Sequence, residues 1–338
     1  MDKQRIGVIG CGYWGPNLIR NFTEISSSDM VAVADLREER LNAVKSINHE
    51  VEVTKDYHDL FKMNLDGVVI ATPPPTHFPI AAEALKNGLN VMVEKPLTTN
   101  SQDAEKLIEL AAKHQRVLMV GHTFMYNNAV HALKKLMDSG EIGNTLYVDA
   151  ARLNLGLYQR ELNVLWDLAP HDLSILYFLL EANPLSIEVF GTACVMRNIH
   201  DVVHMNLIYP GNVLAHIHVS WLAPVKVRRV TVVGSKKMVV YNDIEATDKI
   251  KIYDKGVDAP DYTHTYAEFQ CAYRYGDIVI PNIRMVEPLR QECLHFLECM
   301  NDGTPCRSLG EDGLRVVKIL EAAQNSLMNG HHEEVLKW

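Results

Sequence analysis

Short apolar runs alternate with amphipathic stretches through the first third of the chain. That alternation predicts strands interleaved with helices. Arg5–Ile9, Met30–Ala34, Val51–Val53, Gly67–Ala71, Asn90–Glu94 and Val117–Val120 read as strands. Gly67–Ala71 is apolar throughout, the mark of a strand buried on both faces. Between them, Pro16–Glu24, Glu38–Ile47, Asp56–Lys62, Pro79–Asn87 and Ser101–His114 read as helices, with Gly88 stopping the fourth and Ser101 as N-cap of the fifth. Six strands with interleaved helices predict an α/β doubly wound parallel sheet.

Beyond Gly121 the pattern changes. After a helix over Asn128–Ser139, alternating runs dominate: Thr145–Leu153, Ser186–Val195, Val202–Ile208, Val213–Trp221, Arg228–Val233, Met238–Tyr241 and Lys249–Tyr253. Pro210-Gly211-Asn212 marks a hairpin. Helices over Asp167–Leu180, Val286–Met300 and Asp312–Met328 complete the chain. The expectation is a dinucleotide-binding domain over 1–122 and an α+β substrate domain over 123–338, with the crossover at 122–126. The second domain is expected to hold a large, mostly antiparallel open sheet. Helices should cover one face, and a second subunit the other, as a homodimer or homotetramer.

Composition narrows the class. The chain has 338 residues, too many for one ordinary core, and 47% hydrophobic with 22% charged residues fits a globular protein. A net charge of −9 argues against nucleic acid or an anionic membrane as partner. The first strand leaves no room for a secretory signal, and no apolar run reaches the roughly 18 residues of a membrane span. Six scattered cysteines without a Cys-x-x-Cys pair suit free thiols and a cytoplasmic location.

The chemistry starts at Gly10-Cys11-Gly12-Tyr13-Trp14-Gly15, between the first strand and the first helix. Gly10 permits the tight turn, Gly12 lets a pyrophosphate approach bare backbone, and Gly15 lets the helix pack close, which is the Rossmann signature. Tyr13 and Trp14 lie in the same turn, and Pro16 suits a helix's first turn. Asp35 ends the second strand, 20 residues beyond Gly15, where an acid is expected to bind the adenosine ribose. Its charge favours NAD over NADP. Arg37 and Arg40 either clamp a 2′-phosphate or lie solvated on the next helix.

Three further features border the expected cleft. Glu94-Lys95-Pro96 follows the fifth strand, where strand C-termini line the ligand crevice; Lys95 points into the cleft or is an ordinary basic loop residue. Asp167 and His171 share a helix face at i, i+4, which suits a carboxylate-tuned general base, unless Asp167 is only a cap. Asp172 would point off that face. Thr72-Pro73-Pro74-Pro75-Thr76-His77 makes a rigid loop at the end of the fourth strand, fit to border a dinucleotide or to serve as a plain turn. His216-x-His218 puts two imidazoles on one strand face, but no third ligand sits at metal-site spacing, so no metal is expected. Ser220–Arg229 is a basic run, either a phosphate contact or a solvated hairpin end.

Taken together, these motifs resemble the glucose–fructose oxidoreductase/inositol dehydrogenase (Gfo/Idh/MocA) family over nearly the whole length. The resemblance rests on the glycine turn, Asp35, Thr72-Pro73-Pro74 with His77, Glu94-Lys95-Pro96 and Asp167-x-x-x-His171. It implies that Lys95 and His171 handle the proton and orient the hydroxyl, that Asp167 contacts substrate or His171, and that Lys95-Pro96 lies beside the nicotinamide. The cofactor-binding set it implies is Gly10, Gly12, Tyr13, Trp14, Gly15, Asp35, Arg37, Thr72, Pro73, His77, Glu94 and Lys95. Many members have glycine before the histidine, whereas this chain has Pro170. That departure, with Gly12-Tyr13-Trp14-Gly15-Pro16-Asn17, Ser220-Trp221-Leu222, Glu287-Pro288-Leu289 and Glu311-Asp312-Gly313-Leu314-Arg315, looks most like the nucleotide-sugar branch. UDP-N-acetylglucosamine 3-dehydrogenases are the nearest match, and free polyols such as inositol are disfavoured. The implied activity is NAD-dependent oxidation of the C3 hydroxyl of a UDP-amino sugar, feeding a later transamination. A keto-sugar reductase, a UDP-sugar uronate dehydrogenase and an NAD-binding regulator are the alternatives.

Overall fold

The apolar runs of the first third pair side by side in a parallel sheet. The computed structural model describes residues 3–160, 162–258 and 271–338. The strands are β1 (Gln4–Ile9), β2 (Ser28–Ala34), β3 (Glu52–Thr54), β4 (Gly67–Ile70), β5 (Asn90–Glu94) and β6 (Leu118–Gly121), in spatial order β3-β2-β1-β4-β5-β6. The order reverses between β1 and β4, the position where such sheets take ligand at their strand C-termini. Val8, Val68, Val69, Ile70, Val91, Met92 and Val93 are fully buried, which explains why these segments lack a polar face.

Helices α1 (Gly15–Glu24), α2 (Glu38–Ile47), α3 (His77–Lys86) and α4 (Ser101–His114) interleave with the strands. Three boundaries differ from expectation. Tyr57–Lys62 is a 3₁₀ helix, because Asp56 accepts from His58 N and only six residues follow. A 3₁₀ turn over Pro74–Thr76 precedes α3, which begins at His77 rather than Pro79. The N-cap of α4 is Asn100, not Ser101. Asn100 Oδ1 accepts from Asp103 N at 2.8 Å, while Ser101 N donates to the Glu321 carboxylate.

By compactness the chain forms two units: Met1–Tyr126 with Val286–Glu321, and Asn127–Met285 with Ala322–Trp338. The expected first domain ended at 122, and everything later was assigned to the second. Instead, α7 (Pro288–Asp302) and the first part of α8 (Gly310–Met328) pack with the parallel sheet. Gly67 shows why: a Cβ there would lie 2.7 Å from Met300 Sδ and 3.3 Å from Phe296 Cε1.

The second unit holds α5 (Asn128–Asp138), β7 (Thr145–Leu155), α6 (Val164–Leu180), β8 (Ser186–Thr192), β9 (Val202–Tyr209), β10 (Val213–Ser220), β11 (Leu222–Gly234), β12 (Met238–Asn242), β13 (Ile250–Asp258), β14 (Ala272–Val279) and β15 (Glu334–Val335). Among the described residues nine strands run in the order β14-β13-β12-β11-β7-β10-β9-β8-β15, with β7 and β10 paired in parallel. In β9, buried Val203, Met205 and Leu207 alternate with half-buried His204, Asn206 and Ile208. Helix α6 packs against β7, β9 and β10. β11 starts at Leu222, so the basic stretch is strand rather than a hairpin end. β14 and β15 were not expected, and β14 is exposed almost throughout, with no alternation to read.

On the less buried face, His218 lies opposite His204, with ring centroids 3.9 Å apart, and His216 stacks at 5.5 Å from His204. Among the described residues no group of three or more His, Cys, Asp or Glu is arranged to hold a metal.

Candidate functional site

The first unit's candidate site is built at the C-terminal ends of β1, β2, β4 and β5. Gly10 has φ +100, and a Cβ there would lie 2.6 Å from Ala71 O; a Cβ on Gly15 would lie 2.2 Å from Gly10 O. Neither position admits a side chain. A Cβ on Gly12, by contrast, would meet nothing closer than Arg40 Nη1 at 3.5 Å. The backbone at Gly12 is therefore open to a ligand. Trp14 makes no side-chain cap at the start of α1, and Pro16 follows in its first turn. The first-turn N–H groups and the dipole of α1 thus suit a pyrophosphate. Tyr13 is largely exposed and meets Trp14 edge-on at 6.0 Å.

Asp35 is busier than its motif suggests. Oδ2 accepts from Cys11 N at 2.6 Å and Oδ1 from Arg37 N at 2.9 Å, while Arg40 Nη1 stands 3.6 Å from Oδ2. One carboxylate holds the glycine turn, and its position at the end of β2 is where a ribose would be read. The residues fit an NAD-type dinucleotide. Arg37 contributes its backbone N–H here, and its side chain is exposed.

His77 lies behind the site rather than on its surface. Its Nδ1 is 2.8 Å from Pro96 O and its Nε2 2.8 Å from Thr72 O, so one buried ring ties the Thr72-Pro73 loop to the turn after β5. A neutral ring donates to one carbonyl, an imidazolium to both, and burial works against the imidazolium. In that turn the Lys95–Pro96 peptide is cis. Lys95 N donates to Glu94 Oε2 at 3.3 Å, and Glu94 is buried, facing inward. Burial pushes its carboxyl up to about 7, against the lowering charge of Lys95.

The second unit's candidate residues gather at the start of α6. The helix begins at Val164, not Asp167, because Asn163 Oδ1 caps it by accepting from Trp166 N at 3.3 Å, and Val164, Leu165 and Trp166 are buried. Pro170 is therefore inside the helix, where it removes one backbone donor. With the cap taken by Asn163, Asp167 serves otherwise: its Oδ2 accepts from the Trp221 indole Nε1 at 2.9 Å. Asp167 and His171 are one turn apart on the same helix.

Trp221 is 1% exposed, and a tight frame holds it. Trp221 N donates to Asp201 O, Gly156 N donates to Trp221 O, and Tyr158 packs on the indole at 5.4 Å. The Asp201 carboxylate in turn accepts from Cys194 N, Val195 N and the Tyr158 hydroxyl. In sequence Trp221 stands only as part of the Ser220-Trp221-Leu222 motif, with no role of its own, and Tyr158 and Asp201 carry no local signal. Asp172 points the other way, into a buried two-point ion pair with Arg152 of β7, at 2.8 and 2.9 Å.

A family model described as an oxidoreductase family with an NAD-binding Rossmann fold matches residues 4–122, and a GFO/IDH/MocA C-terminal domain matches 130–240. An inositol 2-dehydrogenase of Burkholderia lata is 31% identical over 191 residues, 55% of this chain and 57% of the relative. The chain thus spans little more than half the length of that curated relative. A myo-inositol 2-dehydrogenase of Thermotoga maritima is 24% identical over 96% of both chains. The solved UDP-N-acetylglucosamine 3-dehydrogenase of Acidithiobacillus ferrooxidans superposes with a TM-score of 0.83 at 22% identity, covering 98% of this chain and 100% of that one, a likeness of fold.

Proposed function

This chain belongs to the GFO/IDH/MocA family of oxidoreductases, and we propose that it is an NAD-dependent dehydrogenase of a sugar hydroxyl, acting at C3 of UDP-N-acetylglucosamine. One observation carries the reading: Asn163 caps α6, so the Asp167 carboxylate, gripped by a buried indole one turn before His171, is held for a purpose other than capping. Bound NAD⁺ supplies the hydride acceptor. The glycine turn and the start of α1 bind the pyrophosphate, and Asp35 orients the ribose. Lys95 or His171 takes the hydroxyl proton, and Asp167 holds the imidazole or the sugar. General acid–base help of this kind is worth about 10²–10⁴ in rate.

The inositol dehydrogenases among its relatives support a second reading, oxidation of a free polyol. Pro170, where many members have glycine, supports the nucleotide sugar. A panel of UDP-sugars, dTDP-sugars and inositol with NAD⁺ or NADP⁺, followed by reduced-cofactor absorbance and product mass, separates the two. Lys95→Ala and His171→Ala are each expected to cut turnover about 10²-fold or more with NAD binding kept. Near-wild-type turnover in both variants would remove these residues from the mechanism. NAD binding without reduction by any offered sugar would instead point to a regulator.

A further inference from the structure

Three buried titratable groups of the first unit have no part in the mechanism above. Glu94 ends β5, His122 follows β6, and Glu292 lies within α7. Gly121 pairs with Glu94 in the sheet, and a Cβ on Gly121 would lie 3.2 Å from Glu94 Oε2. Two residues on, Thr123 Oγ1 donates to Glu292 Oε2 at 2.9 Å. Glu94 Oε1, Glu292 Oε1 and both ring nitrogens of His122 have no protein hydrogen-bond partner. Buried polar atoms left without a protein partner are rare in folded proteins and each calls for an explanation.

Two carboxylates this deep cannot both be ionised, because each charge adds to the desolvation cost of the other. Burial, then the Glu94 charge, drive the Glu292 carboxyl well above its usual range. The groups packed around the pair offer little compensation. His122 is pushed down to about 4 by burial and the Lys95 charge, while Tyr126 and Cys293 are driven up by burial and the Glu292 charge. Those three are uncharged at neutral pH, and the cation acting on Glu94 is Lys95.

We propose that Glu94 and Glu292 form a carboxyl pair holding a single proton beside Lys95, and that Glu292 is a positioning residue acting on Lys95 through Glu94. The inference rests on the assignment of Lys95 to the hydroxyl proton. In this role the pair is an interior station for that proton. The Lys95 ammonium gives up an N–H proton, an O–H bond forms on the ionised carboxylate, the pair goes from one negative charge to none, and the freed amine lone pair then takes the hydroxyl proton. The proton later leaves for solvent, and no electrons move.

The carbonyl stretch of a buried carboxylic acid stands apart from carboxylate bands, so infrared spectra of the full chain read the pair without turnover. At pH 7 the wild type is expected to show a protonated-carboxyl band that Glu94→Gln/Glu292→Gln lacks. Lys95→Met should shift its titration upward by about one pH unit, since removing a cation favours the neutral acid. In kinetics, Glu292→Gln should move the acid limb of the kcat/KM profile by about one pH unit with NAD affinity unchanged, and Glu292→Asp should restore it in part. No band in the wild type, or one surviving in the double variant, overturns the pair. A band indifferent to Lys95→Met, or an unmoved profile in Glu292→Gln, overturns its link to Lys95. Full turnover in Lys95→Ala would remove the role assigned to Lys95, while the infrared band would still report on the pair.

Discussion

Trp221 shows at the scale of one residue how a site is held. Its ring is buried like any core aromatic, yet its single polar atom is spent on the Asp167 carboxylate. Trp221→Phe keeps most of the apolar volume and deletes that donor. Hydrogen bonds to charged groups contribute about 1.5–3 kcal/mol, so kcat/KM should fall roughly 10- to 100-fold with NAD affinity unchanged. A variant as active as wild type would make the contact incidental. Glu94 and His122 set opposite pH dependences. Glu94 is raised from 4.5 to about 7, so the folded chain holds a proton that the unfolded chain has released, and stability is lost as pH rises through that window. His122 is lowered from 6.5 to about 4, so its contribution is full above 6.5 and lost as pH falls toward 4. Each contribution is on the order of 3 kcal/mol. In a melting-temperature series against pH, Glu94→Gln should flatten the loss between pH 4.5 and 7, and His122→Asn the loss between 6.5 and 4.

Among elements, α6 is the one whose placement matters most. Its hydrophobic sequence would pack in several rotations, and the Arg152–Asp172 pair selects one by tying the helix to β7 through two buried hydrogen bonds. Breaking such a pair leaves an uncompensated buried charge, costing about 3–5 kcal/mol. Arg152→Ala should therefore unfold at much lower denaturant than wild type, while Arg152→Ala/Asp172→Leu should recover part of the loss. The strands of the parallel sheet were legible because fully apolar runs permit little else. The caps were less so: Asn100 and Ser101 are both good N-caps by type, and the choice fell to Asn100 because Ser101 N meets Glu321, more than 200 residues away in sequence. Asp167 is likewise a good cap by type, but Asn163 takes that place at the start of α6. β14 had no alternation to read, since its residues face solvent on both sides.

Across the molecule, the open face of the nine-stranded sheet leads to the last expectation. Tyr147 and Leu214, paired across β7 and β10, are 45% and 40% exposed, and the stacked His204, His216 and His218 lie among them. We propose a second copy of the chain as the cover, giving a homodimer or homotetramer. Leu214→Lys/Tyr147→Glu should then shift the mass by light scattering toward a single chain, and a wild type already monomeric at micromolar concentration would refute it.

Local physics was enough for the glycine turn, the parallel strands, Asp35 and the Asp167/His171 spacing, because strand burial, backbone sterics and helix periodicity act over a few residues. Tertiary structure alone decided that α7 returns to the first unit, that Trp221 holds Asp167, that Asp172 pairs with Arg152, and that Glu292 and Glu94 are buried beside the same segment, at Thr123 and Gly121. Those outcomes depend on contacts between residues far apart in the chain, where many pairings satisfy the same pattern and only close packing of the whole selects one.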